Sequence, residues 1–255
     1  QSRSSAASDV YKRQDILYIR TDVTSEQAVA QAQAQIIERF GRSPSYVVSC
    51  AGVAPAGALL TSPVKMFTRA FDINAAANVV LAQAFLPAMI SNNHGHFMTV
   101  ASSASYFSLP NLCAYSMSKT AALAFLETLR AELRAVYKAC RVRTSVVTPT
   151  KVRTVLAEGL NEGDDDFLMP VLEPIQVARA MADTLNSGLS RNISLPLGSA
   201  LLPYLRALPE WYRGALRAMG NTDALVTPES ISRGQQALRG HQSNLDHMKK
   251  LGVHS

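Results

Sequence analysis

Cysteine is scarce in this chain, and the three that occur are isolated from one another. They show no metal-ligand spacing, and their odd number argues against a disulfide framework. Chains without disulfides are typical of reducing compartments. The sequence therefore excludes a small disulfide-stapled secreted domain, and it favours a cytoplasmic location and no metal site. The three residues are Cys50, Cys113 and Cys140.

Long apolar runs and a strong excess of one charge are also missing. No stretch of about 18 uninterrupted apolar residues occurs, so a membrane-spanning helix is not predicted. The net charge is +6, yet residues 15–225 hold 18 basic and 16 acidic side chains. A protein that binds nucleic acid usually gathers a basic stripe on its folded body, so we expect no nucleic-acid partner. Weak attraction of Lys249-Lys250 to an anionic membrane is compatible with these charges.

The pattern that is present is an alternation of short apolar runs with longer segments of helical periodicity. The chain has 255 residues, 47% of them hydrophobic, which suffices for one domain with a large core. Strands that alternate with helices predict an α/β fold with a doubly wound parallel sheet. The predicted strands are 15–20, 46–49, 95–101, 142–147 and 193–197, and the predicted helices are 25–40, 63–90, 115–140, 174–185 and 201–219.

Tyr115 and Lys119 are four positions apart, so a helix places the phenol and the ammonium on one face. A nearby ammonium stabilises phenolate and lowers the tyrosine pKa toward neutrality, which suits proton exchange with an alcohol or carbonyl. An ordinary surface pair has the same spacing. Two further residues favour catalysis. Ser102 directly follows a predicted buried strand, and Asn74 begins an apolar helical stretch; parallel sheets form their sites at the carboxyl ends of strands.

Together these four residues resemble the catalytic tetrad of the classical short-chain dehydrogenase/reductase family. The resemblance implies a Rossmann-like fold and hydride transfer with NAD or NADP. Tyr115 would be the general acid/base, and Ser102 would hydrogen-bond the substrate oxygen. Lys119 would lower the tyrosine pKa and hold the ribose hydroxyls, and Asn74 would position a water. By the same resemblance, the cofactor-binding residues are Asp22, Ala51, Gly52, Tyr115, Lys119, Pro149, Val152 and Thr154.

The sequence departs from the family pattern near its beginning. A glycine-rich turn for the cofactor pyrophosphate is missing, and Ser49-Cys50 replace the two asparagines that usually precede Ala51-Gly52. Residues 1–14 resemble the translation of a sequencing-library adapter and are interpreted as non-native. We therefore expect a truncated domain at 15–225 that lacks its first two strands and binds nicotinamide nucleotides poorly by itself. A polar tail is predicted at 226–255.

The last quarter of the domain resembles the branch that contains retinol dehydrogenases and lipid-droplet hydroxysteroid dehydrogenases. The resemblance lies in Leu168-Met169-Pro170, in Glu173-Pro174, and in the stretch from Leu208 to Arg213. It implies a lipophilic alcohol or ketone as substrate, and it makes the surface of the endoplasmic reticulum or a lipid droplet an alternative location. An apolar pocket wall is predicted from Tyr106, Phe107, Leu109, Leu112 and Leu156.

Assembly and the alternative functions also follow from the helices. The helices at 74–90 and 115–140 carry more apolar side chains than one sheet face needs, and related enzymes pair them across a twofold axis, so a homodimer is expected. The amphipathic stretch around Trp211 fits a membrane surface, or packing on its own domain or on a dimer mate, equally well. Two non-catalytic functions are compatible with the sequence: an inactive fragment that serves as a scaffold, and a lipid-binding protein at a membrane surface.

Overall fold

The computed structural model describes residues 16–157, 170–219, 226–227, 229 and 231–232. Segment 1–14, Leu168-Met169 and most of the predicted tail, including Lys249-Lys250, lie outside the described residues. In the described part, four parallel strands form one sheet in the order β1-β2-β3-β4, as predicted for an α/β fold. The strands are β1 (Tyr46–Ser49), β2 (Gly95–Val100), β3 (Val142–Pro149) and β4 (Asn192–Leu195), and the helices are α1 (Glu26–Phe40), α2 (Val64–Phe71), α3 (Ala77–Ser91), α4 (Cys113–Ala135), α5 (Pro174–Ser187), α6 (Leu202–Leu205) and α7 (Glu210–Met219).

Alternate side chains of the two central strands enter two separate cores, because successive residues of a strand point to opposite faces of the sheet. Phe97 and Val146 lie in the main core, which α1, α3 and α4 cover. Met98 and Val147 lie in a smaller core, which α5 covers. The sheet is therefore sandwiched between two helical layers, and its carboxyl edge is left for a site.

Short polar residues and a glycine set the predicted boundaries of two helices. The Ser25 hydroxyl accepts a hydrogen bond from the Ala28 amide at 3.2 Å, and Gly41 ends α1 in the left-handed conformation with φ 70°. At the start of α5, Glu173 and Gln176 form a reciprocal capping box. These sequence-based predictions are confirmed.

Residues 64–91 form one continuous helical stretch, as predicted. It consists of α2, a π-helical turn at Asp72–Ala76, and α3. By length and composition alone this stretch is long and apolar enough to cross a membrane, since an 18-residue window within it has a mean hydropathy of 1.6. The absence of an uninterrupted apolar run in the sequence had predicted no such helix. Phe85 and Met89 of α3 lie in the main core. We therefore interpret the stretch as a core helix of the domain and not as a membrane-spanning helix.

The predicted strand at 15–20 is wrong for the residues that the structure describes. Residues 16–20 have no strand hydrogen bonds, and Ile16 and Tyr18 are 82% and 79% exposed. In the described sheet, β1 is an edge strand that pairs with β2. A strand exists only through hydrogen bonds to a neighbour, and an apolar sequence does not supply that neighbour.

The apolar surplus predicted for α3 and α4 is largely used inside the domain. Phe85, Met89 and Leu129 are at most 6% exposed and belong to the main core. Val79 and Val136 are the exposed members of the predicted set, at 41% and 63%. The surface available for pairing is therefore smaller than the sequence suggested.

Candidate active site

Asn74 lies in the π-helical turn and is 2% exposed. Its Oδ1 accepts a hydrogen bond from the Val53 amide at 2.9 Å, and its Nδ2 donates to the Val53 carbonyl at 2.8 Å and to Ser118 Oγ at 2.9 Å. π-Helical turns are often found at functional sites because they reorient one side chain of a helix. Here the side chain braces the loop after β1 against α4.

A second asparagine supports the first, and sequence reasoning did not identify it. Asn78 Nδ2 donates to the carbonyls of Asn74 and Ala75 at 2.9 and 3.1 Å, and Asn78 Oδ1 accepts from Thr99 Oγ1 at 3.2 Å. These carbonyls belong to the π-helical turn. The signal in the sequence was a second asparagine one helical turn after Asn74. Ser118, which is fully buried and donates to the Tyr115 carbonyl at 2.8 Å, was also missed as a site residue.

Lys119 reaches from α4 to the end of β2, where its Nζ donates a hydrogen bond to the Val100 carbonyl at 2.8 Å. The side chain is 5% exposed. Burial lowers the pKa of Lys119 to about 8, against a smaller opposite effect of the nearby Cys50 thiol. The ammonium form therefore predominates at neutral pH, although the site removes much of its solvation.

Gly52 lies against both Lys119 and Asn74. A Cβ added at Gly52 would come within 3.1 Å of Asn74 Oδ1 and within 3.3 Å of Lys119 Nζ. Those distances are too short for a side chain without displacement of its neighbours. The predicted residue Gly52 is therefore in the immediate surroundings of the tetrad, together with its exposed neighbour Ala51.

Ser102 follows β2 and lies at the carboxyl edge of the sheet, as predicted. It is 6% exposed, and its Oγ accepts a hydrogen bond from the Ala104 amide at 3.2 Å. Tyr115, near the start of α4, is partly buried, and the Lys119 Nζ lies 6.0 Å from the centre of its ring. Tyr115 and Lys119 therefore share one face of α4.

The pKa of Tyr115 differs from the prediction. Burial raises it, and a hydrogen bond with the Ser102 side chain acts in the opposite direction. Lys119 is not among the groups that shift it in the protein alone. In the protein alone, Tyr115 is therefore a protonated phenol at neutral pH, next to a serine hydroxyl.

The other predicted cofactor residues are spread along the same edge. Pro149 ends β3 and pairs in register with Leu195 of β4. Val152 forms an isolated parallel bridge with Leu172, and the exposed Thr154 donates its hydroxyl hydrogen bond to the Val152 carbonyl at 3.3 Å. The strand ends place Gly52, Ser102 and Pro149 at one edge of the sheet, whereas Thr154 faces solvent.

Asp22 lies before α1 and is exposed. Its Oδ1 accepts hydrogen bonds from the Thr24 amide at 2.9 Å and the Thr24 hydroxyl at 2.7 Å. The backbone hydrogen bond is the largest of three influences that lower the pKa of the Asp22 carboxyl; the Thr24 hydroxyl and the charge of Arg69 are the other two. Within the described residues, Asp22 forms no contact with the tetrad, so the structure does not bring it to the same cluster.

The predicted apolar wall is only partly formed. Leu112 is 4% exposed and packs inside the domain, Tyr106 packs against the main core, and Leu156 is 39% exposed. Phe107 is covered from α7, where the Arg217 guanidinium lies 5.0 Å from the centre of its ring. Helix α7 is therefore an element of this wall that the sequence did not predict.

The chain returns to this region after α7. Asn111 Nδ2 donates to the Val226 carbonyl at 2.8 Å, and the Asn111 carbonyl accepts from the Gly57 amide at 2.8 Å. Val226 is 2% exposed. Val226, the first residue of the predicted tail, is therefore packed beside the loop that leads into α4.

Comparisons with known proteins agree with the arrangement. Residues 2–165 match the model of a protein family described as "short chain dehydrogenase". This range begins inside the segment predicted to be non-native. It is 39% identical over 132 residues to dehydrogenase RED3 of Cochliobolus heterostrophus, covering 52% of this chain and 67% of that protein. It is 37% identical over 175 residues to human estradiol 17-beta-dehydrogenase 11, and the match covers 68% of this chain and 56% of that protein. It is 32% identical over 164 residues to mouse epidermal retinol dehydrogenase 2, and the match covers 64% of this chain and 52% of that protein.

A solved structure has the same fold. Alcohol dehydrogenase from the archaeon Thermococcus sibiricus, in complex with 5-hydroxy-NADP, superposes with a TM-score of 0.62 at 21% identity, over 75% of this chain and 80% of that one. The chain spans between about half and two thirds of the length of the three relatives named above. The family match covers more than half of the chain. The chain therefore belongs to the short-chain dehydrogenase family.

Proposed function

We propose that this protein is an oxidoreductase that transfers hydride between NAD or NADP and a lipophilic alcohol or its carbonyl form. The observation that carries the proposal is the meeting of Ser102, Tyr115 and Lys119 beside Gly52 and Asn74 at the carboxyl edge of the sheet. In parallel α/β sheets this edge is where nucleotides and substrates bind. Membership of the short-chain dehydrogenase family supports the same reaction class.

The residues around Lys119 fit the nicotinamide half of the cofactor. Gly52 leaves open the volume that a Cβ would fill next to Lys119 and Asn74. An ammonium has three N–H donors, and the hydrogen bond to the Val100 carbonyl uses one of them, so Lys119 can also donate to ribose hydroxyls. When bound, the cofactor supplies or accepts the hydride. A glycine-rich turn between a strand and a helix is absent from the described residues, and NAD and NADP are both compatible with the residues present.

The proton would move at the Tyr115 hydroxyl. Reduction of a carbonyl requires one proton at its oxygen, and oxidation of the alcohol returns that proton. Burial keeps Tyr115 protonated at neutral pH, which is the form that donates to a carbonyl. Ser102 would hydrogen-bond the same oxygen, and Lys119, charged below about pH 8, would stabilise the phenolate left after the transfer.

Several observations support a lipophilic substrate. Phe107 lies five residues after Ser102 and is covered by α7, so apolar surface adjoins the proposed reacting groups. The similar proteins named above include an estradiol dehydrogenase and a retinol dehydrogenase. We propose that this chain shares their preference for substrates with large apolar bodies.

Contact with a membrane or lipid-droplet surface is proposed for the segment that covers Phe107. Leu201, Tyr204 and Trp211 are 67%, 72% and 73% exposed, and they lie within 11 residues on α6, α7 and the preceding turn. Exposed apolar side chains that include Trp and Tyr, next to arginines, are typical of interfacial helices. Such a location would give the site access to substrates dissolved in lipid.

A homodimer is proposed through the exposed side of α3. Val79 is 41% exposed on a helix that is otherwise strongly apolar. Val79→Asp changes no core residue, so it should lower the dimer fraction in sedimentation velocity without lowering the melting temperature. Sedimentation of the unmodified protein as a monomer at micromolar concentration would contradict the proposed assembly.

The reaction class is tested by following reduced nicotinamide in solution. The protein is incubated with NAD or NADP and either a lipophilic secondary alcohol, such as a steroid alcohol, or a small hydrophilic alcohol such as glycerol. We expect kcat/KM to be at least about a hundredfold higher for the steroid alcohol, because each buried CH₂ contributes about 0.8 kcal/mol. Nucleotide is supplied at concentrations high enough to offset the weak binding expected without a glycine-rich turn. Failure, under these conditions, to reduce either nucleotide with any alcohol or to oxidise the reduced forms with any carbonyl would reject the proposed function.

A further inference from the structure

Two adjoining cavities lie at the amino edge of the sheet, on the side opposite the candidate active site. They occur where β2 and β3 begin, and they share Arg143, so we treat them together as the amino-edge cleft. Their volumes are about 380 Å³ and about 170 Å³. The larger is lined by Arg130, Leu133, Arg134, Ala139, Cys140, Val142, Arg143 and Ser190, and the smaller by Tyr46, His94, Gly95, His96, Arg141, Arg143 and Gly188.

Four arginines line the amino-edge cleft, and no carboxylate is among its lining residues in the described part of the chain. Arg134 and Arg141 are exposed, and among the described residues neither side chain has a hydrogen-bond or ion-pair partner. Among the described residues, the Arg143 guanidinium donates a hydrogen bond to the Cys140 carbonyl alone, at 3.4 Å. Four positive charges around one concave surface, without acidic partners, create a strong positive potential there.

One of these arginines is held rigidly. The Arg130 Nε donates to Thr144 Oγ1 at 2.9 Å, and its Nη2 donates to the Thr144 carbonyl at 3.1 Å and to Asn192 Oδ1 at 3.0 Å. All three acceptors are neutral, so none of them offsets the positive charge of the guanidinium. A fixed guanidinium loses little conformational entropy when an anion binds, which is the condition of a preformed site.

One of the two histidines that line the cleft adds no positive charge at neutral pH. His96 is 1% exposed, and its Nε2 lies 2.9 Å from Ser145 Oγ. Burial, followed by the charge of Arg143, lowers the pKa of His96 to about 4. His96 is therefore neutral at neutral pH, and the four arginines supply the positive charge described above.

We propose that the amino-edge cleft binds a ligand that carries two or more clustered phosphate groups. Planar guanidinium groups match phosphate oxygens in paired hydrogen bonds, and several arginines around one cleft favour several phosphates over a single carboxylate. The larger cavity lies in the size range of small-molecule sites. Because β2 has six residues that rise about 3.3 Å each, the cleft is about 20 Å from the proposed hydride-transfer site and forms a separate binding site.

The ligand chemistry has two sources, a soluble polyphosphorylated molecule or the headgroup of a phosphorylated lipid. Inorganic tripolyphosphate serves as the soluble probe in calorimetry. Phosphatidylcholine vesicles with and without phosphatidylinositol bisphosphate serve as the lipid probe in flotation. Binding of tripolyphosphate without vesicle binding points to a soluble ligand, and binding of both points to a headgroup; each result supports the proposed site if the substitutions below abolish it.

The test uses Arg134→Gln/Arg141→Gln, which removes two exposed charges that make no hydrogen bond among the described residues. Lys65→Gln/Arg179→Gln removes two exposed charges outside the cleft and is the matched control. The cleft variant should weaken tripolyphosphate binding at least about tenfold, or about 1.4 kcal/mol, while the control stays within about twofold. Thermal melts check that both variants fold.

Three outcomes would overturn the proposal. The protein could fail to bind tripolyphosphate and the phosphorylated vesicles alike at low salt, where electrostatic binding is strongest. The cleft variant and the control could weaken binding equally, which would indicate diffuse charge attraction. Saturating NADP could displace tripolyphosphate from the cleft variant and the unmodified protein alike, which would place the anion at the nucleotide site instead.

Discussion

At the scale of single residues, Lys119 is the group whose burial conflicts most with its charge. The ammonium is 5% exposed and has one acceptor within the described chain, the Val100 carbonyl. Burial lowers its pKa from 10.5 to about 8. An unfolded chain keeps this proton up to about pH 10.5, whereas the folded chain releases it from about pH 8 upward. The free energy of unfolding must therefore depend on pH through Lys119.

Lys119→Met should change that dependence in a known direction. Between about pH 8 and pH 10.5 the unfolded chain binds more protons at Lys119 than the folded chain, so the unmodified protein gains stability relative to the variant as pH rises. The full shift corresponds to roughly 3 kcal/mol. Urea unfolding of both proteins at several pH values across this window measures the change. Lys65→Met, at an exposed lysine of α2, is the control and should show no trend; a constant gap between wild type and Lys119→Met would contradict the assignment.

Most of the tetrad arrangement follows from sequence spacing, because helix and strand geometry determine which residues share a face. The direction of the Tyr115 pKa shift does not follow, because it depends on how strongly the phenol is desolvated. The Val100 carbonyl engages Lys119, and burial raises the Tyr115 pKa. Asn78 was missed for a related reason: its partners are carbonyls of a π-helical turn, which local propensity does not reveal.

At the scale of elements, the π-helical turn between α2 and α3 is the feature that positions Asn74. A π turn leaves the usual hydrogen-bond ladder of the helix. Asn78 compensates by donating to the Asn74 and Ala75 carbonyls, and it ties the turn to β2 through Thr99. The turn is therefore held by a side chain as well as by the backbone, and the Asn74 brace on Val53 depends on it.

Asn78→Ala should loosen the turn. It removes one hydrogen bond each from the Asn74 carbonyl, the Ala75 carbonyl and the Thr99 hydroxyl, in buried or half-buried surroundings, so we expect a loss of about 2–4 kcal/mol in unfolding free energy. Hydrogen exchange at residues 72–76 should accelerate more than exchange in β3. The control Gln83→Ala, at an exposed position of α3, should leave the unfolding free energy and the exchange at residues 72–76 unchanged. Equal effects of the two substitutions would show that Asn78 does not hold the turn.

Among the elements, those with local signals were predictable and those defined by a partner were not. Ser25 and Gly41 bound α1 as capping chemistry predicts. Residues 16–20 have an apolar composition suited to a strand but lack a strand neighbour in the described sheet. The single amphipathic helix predicted for 201–219 is divided into α6 and α7, because Pro209 lies between them and cannot continue the hydrogen bonds of a helix.

At the scale of the whole molecule, charge is distributed differently from the sequence-based expectation. The sequence indicated an excess of basic residues that lies partly at the ends of the chain. In the structure, Arg130, Arg134, Arg141 and Arg143 gather at the amino edge of the sheet. Four arginines within 14 residues were the available signal, but their convergence depends on the turn between α4 and β3. The two edges of the sheet therefore have different chemistry: a polar cluster at the carboxyl edge and a basic cleft at the amino edge.

The exposed apolar side of α6 and α7 predicts measurable binding to lipid. Trp211→Ser should reduce the fraction that floats with vesicles of phosphatidylcholine and phosphatidylserine, because a buried aromatic side chain contributes about 1.5–3 kcal/mol, or at least tenfold in partitioning. Tyr137→Ser removes an aromatic that is 47% exposed beyond the end of α4 and is the control. Equal flotation of the two variants would remove the support for membrane contact through α7.

Replacement of the Tyr115 hydroxyl tests the proposed chemistry most directly. Tyr115→Phe removes the proton donor and keeps the ring, and Tyr137→Phe makes the same change at an exposed tyrosine away from the site. Turnover of the lipophilic alcohol and nucleotide affinity are measured for both. We predict that Tyr115→Phe keeps less than about a tenth of wild-type turnover, since acid/base catalysis contributes about 10²–10⁴-fold, while nucleotide affinity and the Tyr137→Phe control are unchanged. Turnover above about a tenth of wild type in Tyr115→Phe would contradict the assignment of Tyr115 as the acid/base.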